Sequence, residues 1–332
     1  MLELESSALS GLIKRPALSR RTSEALTALL YLLPAVLLLL AFRILPIILS
    51  VRISLYDWRM AGPVRFLGLA NYAAVLRDPN FWRSLLNTGW YIAFEVPVTM
   101  LLSLVIALLL NQQIRGRGIY RTIYYLPVVT SIVAVSVVWK WLFNPDRGLF
   151  NYILSLFGIS GVRWLQDPRG LFQILLGSSG NKLPLALRGP SVALLSLVIM
   201  GIWKALGYNI IIFLAGLQNI PKTYYEAARV DGAGRWRTFW QITWPLVSPT
   251  TYYVLIMSCI AAFETFAQVW MMTSPPGGPL GTTKTVMYYF YENSFDYWRL
   301  GYGASIAFIA FVIILALTIF QRIFLERRVH YG

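Results

Sequence analysis

Cysteine and histidine are each present once, as Cys259 and His330. An intrachain disulfide is therefore excluded, and no His/Cys set exists to hold zinc. Acidic residues are also scarce, with 14 Asp and Glu against 29 Lys and Arg. Charged residues of all kinds make up 13% of the 332 residues, about half the usual share in soluble domains. A Gly-x-x-x-x-Gly-Lys-Ser/Thr phosphate loop is missing, and no lysine follows a glycine, so the chain cannot cradle ATP in that way. The sequence also offers no His pair, no acid pair and no nucleophile beside a base near a membrane surface. These absences argue against an enzyme and against a resident cofactor or metal.

What is abundant is apolar: 57% of the residues are hydrophobic and the mean hydropathy is positive, which places the chain in a bilayer. Six apolar runs are long enough to cross the hydrocarbon core, near 26–49, 86–111, 122–143, 190–216, 246–272 and 302–321. The first follows Lys14, Arg15, Arg20 and Arg21 like a signal peptide, but it is too long and lacks a small-residue cleavage site, so it reads as a retained span. With six spans both termini share a side. The short basic pieces beside span ends (Arg115, Arg117 and Arg121; Arg235 and Arg237; Arg322, Arg327 and Arg328) put that side in the cytoplasm. The net charge of +15 does not point to nucleic acid, because the basic residues are scattered through every loop and no compact soluble domain remains to carry a binding face.

Two long connections, about 50–85 and 144–189, are expected outside, and the apolar piece 149–157, too short to span, is expected to lie as an interfacial or capping helix. The cytoplasmic loops are short except for 217–245. There Pro221 suits the first position of a helix, Lys222 to Val230 continue it, and Asp231-Gly232 break it. A second short helix over 234–243 gathers Trp236, Phe239 and Trp240 on one side, and Pro245 is expected to open the next span. Two short helices fixed at an angle by a glycine turn make a rigid knob able to seat in a cleft of another protein.

The run Tyr225-Glu226-Ala227-Ala228-Arg229-Val230-Asp231-Gly232-Ala233-Gly234, with Ile242 and Pro245 beyond it, resembles the EAA signature of ATP-binding-cassette importer permeases. Leu214 to Pro221, Leu110-Asn111 with Arg115-Gly116-Arg117 and Leu126-Pro127, Trp141 to Pro145, Gly277-Gly278-Pro279 and Glu326 to Tyr331 are similar to the carbohydrate-uptake branch, the maltose and glycerol-3-phosphate type, first of two paired permeases. The resemblance covers roughly residues 25–332.

It implies an all-α integral membrane fold of six transmembrane helices with cytoplasmic coupling helices, the type I importer permease fold, in a bacterial inner membrane. The expected organisation is a cytoplasmic tail over 1–25, a first span with its external loop over 26–85, a five-helix core over 86–321 containing the coupling loop 217–245, and a second tail over 322–332. The resemblance implies an importer of a sugar or sugar-like solute, with glycerol-3-phosphate, a polyol or another small solute as the alternative. Its implied partners are a second permease, an extracytoplasmic solute-binding protein and an ATPase dimer that binds the ATP and magnesium. In that family the knob docks in a cleft of the ATPase, which assigns coupling to Glu226, Ala227, Ala228, Asp231 and Gly232. The midplane site of sugar-carrying relatives maps to Ala205, Tyr208, Met257 and Ala261.

The residues themselves fit these assignments: alanines allow close helix approach, Gly232 a turn, and Glu226 a charge for a partner. Tyr208 could stack on a sugar face, although helical spacing turns Asn209 about 100° away from it. Lys204 is left without a role. Acids inside spans face the interior, a cavity or an interface, so Glu95 and Glu264 are pathway candidates, the latter within Phe263-Glu264-Thr265-Phe266. An ion-coupled secondary transporter would also use such acids, but it gives the knob nothing to do. Two departures from the family stand out: extra sequence near 170–188, and Ala267 where many sugar permeases carry an acid before Gln268.

Overall fold

The computed structural model describes residues 20–112 and 116–325. Lys14, Arg15, Arg115 and the closing 326–331 lie outside them. The chain falls into two compact units divided between Ile53 and Ser54.

The described part of the first unit is an apolar helix, α1 (Glu24–Ser54), which runs to the boundary. A π turn at Leu40–Ile44 interrupts it, where the Leu45 N–H reaches back to the Leu40 carbonyl immediately before Pro46. A widened turn relieves the clash between a proline ring and the carbonyl four residues earlier.

The second unit opens with a hairpin, β1 (Tyr56–Arg59) and β2 (Gly62–Phe66), and the helices α2 (Ala70–Arg77) and α3 (Pro79–Asn111). α4 (Arg117–Val129), α5 (Ile132–Leu142), α6 (Leu149–Leu156) and α7 (Leu171–Leu175) follow. α8 (Val192–Gln218), α9 (Lys222–Val230), α10 (Arg235–Phe263), α11 (Ala267–Met272), α12 (Val286–Tyr291) and α13 (Leu300–Leu325) complete it. The connection that follows the first span is packed within this unit: Asn71 Nδ2 donates to the carbonyls of Ser54 and Tyr56, at 2.8 and 2.9 Å.

Five helices among the described residues are long and apolar enough to cross a membrane, and the bent pair 118–142 makes a sixth if it is one span. The third run is thus not the straight helix expected over 122–143. It bends by 99° between Val129 and Ile132, because Thr130 and Ser131 are extended. The fifth run is also interrupted: α10 ends at Phe263, Glu264 to Phe266 break the helix, and α11 resumes at Ala267. At its other end the reverse correction applies. The expected short helix over 234–243 is present, as α-helical Arg235–Thr238 and a π turn at Phe239–Thr243, but it continues into the span at Pro245, so that Arg235–Phe263 forms one helix. The reason is a second π turn, Phe239–Thr243, placed immediately before Pro245 just as the first precedes Pro46.

The core runs the length of the bundle in three clusters. Val75, Phe81, Phe263, Val286, Tyr289 and Ile306 join the start of α3 to α12 and α13. Tyr91, Val96, Trp139, Leu194, Leu197 and Met272 fill the middle. Leu104, Ala107, Ile210, Phe213, Leu217 and Val254 close the end nearest α9. Asp78 locks the first end. It caps α3 by accepting the Asn80 N–H at 2.9 Å, and it accepts hydroxyl donors from Tyr302 at 2.8 Å and from Tyr289. Burial alone would raise its pKa, but the hydrogen bonds from Tyr289, Asn80 and Tyr302 outweigh that and hold it below the ordinary value.

Candidate functional site

Midway along the bundle a cavity of about 390 Å³ opens among α3, α8 and α10. Its wall holds Tyr91 and Glu95 from α3; Gly201, Lys204, Ala205, Tyr208 and Asn209 from α8; Met257, Ser258, Ala261 and Ala262 from α10; then Thr265 and Gln268. Ala205, Tyr208, Met257 and Ala261, far apart in sequence, thus share one wall system. Glu95 also lines it, with 5% of its surface exposed and its Oε1 accepting the Thr99 hydroxyl at 3.2 Å. Glu264 is not among the lining residues; it terminates α10 and is exposed in this chain. Asn209 does line the cavity together with Tyr208. The 100° between them is spanned because the wall wraps around α8, and Asn209 Nδ2 donates to Ser258 Oγ at 3.2 Å.

The second helix break borders this cavity through Thr265, and the first is tied to its wall through Lys204. At the first, the carbonyls of Pro127, Val128 and Thr130 lose their helical partners, and Lys204 Nζ takes all three, Val128 at 3.3 Å and Thr130 at 2.6 Å. A cation at a helix C-terminus also meets the negative end of its dipole. Gly207, one turn further along α8, lets α4 come close: a Cβ there would collide with the Tyr124 carbonyl. At the second break the Thr265 carbonyl accepts the Thr285 hydroxyl at 2.7 Å, and Gln268 Nε2 donates to the Tyr91 hydroxyl at 2.5 Å. Inside a bilayer such irregular backbone is tolerated where it is buried in protein or lines a cavity. Sequence reading missed Tyr91, Ser258, Thr265, Gln268 and the role of Lys204. The available signal was a lysine and several polar side chains in otherwise apolar runs, which marks an interior face.

At the end of the bundle nearest the 112–116 connection, α9 is seated by Ala228, 7% exposed, and by Tyr225, whose hydroxyl lies 3.2 Å from Thr243 Oγ1. Glu226, Ala227, Asp231 and Gly232 are exposed, so of the two alanines only Ala228 serves packing within this chain. Gly232 has φ +70° and open space around it. The turn therefore needs glycine for its backbone angle and not for lack of room. Beyond it Trp236, Phe239, Trp240 and Trp244 pack mostly edge-on along the start of α10, with neighbouring centroids 5.2 to 6.4 Å apart.

Helices long and apolar enough to cross a membrane, two of them broken, a central cavity, and a short helix packed on one end with an exposed outer face together have the architecture of a membrane transport permease. Residues 99–330 match the family of binding-protein-dependent transport system inner membrane components, and the chain belongs to it. It is 38% identical over 268 residues to the sn-glycerol-3-phosphate transport system permease protein of Agrobacterium fabrum, covering 80% of this chain and 83% of that one. It is 34% identical to the trehalose/maltose transport system permease protein of Thermococcus litoralis, covering 89% and 92%. A crystal structure of a bacterial ABC transporter involved in the import of the acidic polysaccharide alginate shares the fold, with a TM-score of 0.74, 23% identity and coverage of 93% and 99%. The fold is thus that of an ABC importer permease.

Proposed function

We propose that the chain forms half of the translocation path of an ATP-driven importer, and that the cavity at Tyr208 is where a sugar or sugar-like solute passes. The observation that carries this reading is the convergence of Ala205, Tyr208, Met257 and Ala261 on one cavity bordered by the helix break at Thr265. Tyrosine offers a ring face and a hydroxyl, and Ser258, Asn209, Thr265 and Gln268 add neutral hydrogen-bonding groups suited to a polyhydroxylated solute. Lys204 is the one cation in the wall, and its three N–H groups already meet three carbonyls. That favours an uncharged solute over a phosphate ester. Glycerol-3-phosphate remains the second reading, favoured by the relative at 38% identity.

The exposed Glu226, Ala227, Asp231 and Gly232, with Ala228 beneath them, couple the path to a separate ATPase dimer, which binds ATP and magnesium. This end faces the cytoplasm together with both termini, and the end carrying the hairpin and residues 170–188 faces outward to a solute-binding protein. The other half of the path is a second permease.

The test is uptake by proteoliposomes holding the whole complex. Tyr208→Ala should lower sugar uptake about tenfold or more, the loss of one aromatic contact and one hydrogen bond, while the complex still assembles. Unchanged uptake, or competition by glycerol-3-phosphate and not by sugars, would overturn the sugar assignment.

A further inference from the structure

The residues near 170–188, extra relative to the family pattern, fold into a closed lobe. Gly170 bridges to Ser191, the Leu171 N–H donates to the Pro190 carbonyl, and the Phe172 N–H donates to the Arg188 carbonyl. Phe172 then packs edge-on against Trp90 of α3, with ring centroids 5.7 Å apart. Between the lobe, α3 and the 278–284 turn lies a second cavity, about 230 Å³, separate from the one at Tyr208.

Its wall carries Arg83, Arg169 and Arg188, and no acid. Among the described residues only Arg169 has a counter-charge, donating to Asp167 at 2.6 Å. Arg188 engages the Leu183 carbonyl through Nε at 3.0 Å, which leaves its two terminal nitrogens without a partner among the described residues. Arg83, half-buried on α3, makes no hydrogen bond or ion pair among the described residues. Trp90 lines the same cavity, and its enclosed Nε1–H has no acceptor among the described residues. A half-buried guanidinium and an enclosed indole N–H both left unmet are costly unless an acceptor arrives. Two guanidinium groups without a counter-charge among the described residues describe the complement of an oxyanion, for which guanidinium has the matching fork.

We infer that this cavity is an oxyanion site, taking a carboxylate or phosphate group held by Arg83 and Arg188. The group belongs either to a free solute or to an acidic side chain of the docked binding protein. This goes beyond the solute path at Tyr208 and does not depend on it, although the second arm of the test uses the importer partners.

In the first arm, the purified complex in lipid nanodiscs is titrated with inorganic phosphate and with succinate, against chloride at matched ionic strength, reading the thermal midpoint. A saturable rise is expected, with half-saturation about tenfold weaker in Arg83→Gln and in Arg188→Gln, and largely restored in Arg83→Lys. A rise no greater than that from chloride, or one equal in wild type and both Gln variants, overturns the site. In the second arm, a raised half-saturating concentration of binding protein for ATPase stimulation assigns the anion to that protein. A raised half-saturation for solute uptake at unchanged binding-protein affinity assigns it to the solute. Anion binding at Arg83 that alters neither would mark an adventitious ion only, and would overturn the functional inference.

Discussion

Lys204 shows how one side chain in an apolar helix can decide local structure. Its ammonium replaces the N–H donors that α4 loses where the chain turns at Thr130, and it does so with three acceptors and no carboxylate. Replacement by methionine keeps the bulk and removes the donors, leaving the Val128 and Thr130 carbonyls unmet and the Pro127 carbonyl with only the Thr130 hydroxyl. The expected cost is at least ~1–3 kcal/mol. It should appear as a lower thermal midpoint of the purified complex, with Lys204→Arg milder than Lys204→Met; equal midpoints for Lys204→Met and wild type would show that the break is held by packing alone. Gly207 belongs to the same device, since any side chain there pushes α4 off α8. The sequence shows this lysine and glycine plainly, but not that their partner is a break 74 to 77 residues earlier.

Among the elements, α3 illustrates which signals were readable and unused. Asp78 at the N-cap and Pro79 at the first helical position announce its start, seven residues before the apolar run at 86 suggests it. At 33 residues α3 is about 50 Å long and overshoots a hydrocarbon core of about 30 Å. Its projecting start is what Asp78 ties to Tyr289 and Tyr302. Because the folded carboxylate has a depressed pKa, its stabilising contribution is fully present above the unfolded value of about 3.9 and is lost as pH falls through the folded value. Thermal midpoints measured on lowering pH below about 5 should fall less steeply in Asp78→Asn than in wild type, with the variant already less stable at neutral pH. A parallel pH dependence would remove Asp78 as a contributor. The two π turns set before Pro46 and Pro245 carry the opposite lesson: proline reads as a boundary, yet a widened turn lets the helix continue through it.

For the whole molecule, an importer permease predicts a complex. Co-purification from native membranes followed by mass spectrometry should recover an ATPase and a second multi-span subunit. Gly232→Asp forces a side chain onto a φ of +70°, a strain of about 1 kcal/mol or more, and adds charge to the exposed face of the turn. It should reduce ATPase recovery severalfold while leaving the second permease in place. A wild-type chain recovered alone and active in ion-driven uptake would favour a secondary transporter, and full ATPase retention by Gly232→Asp would sink the coupling assignment.

Composition and periodicity alone determined that this chain is helical and membrane-embedded, because burying backbone in lipid leaves few alternatives and apolar length is a local property. The run from Tyr225 to Gly234 was likewise legible, since a short helix and its glycine stop are written in adjacent residues. What only the tertiary structure decided are the interruptions and what they enclose. Whether Thr130 and Glu264 to Phe266 break their spans depends on donors such as Lys204 and Thr285 arriving from distant segments. The two cavities likewise exist only where α3, α8 and α10, or α3 and the 170–191 lobe, are brought side by side.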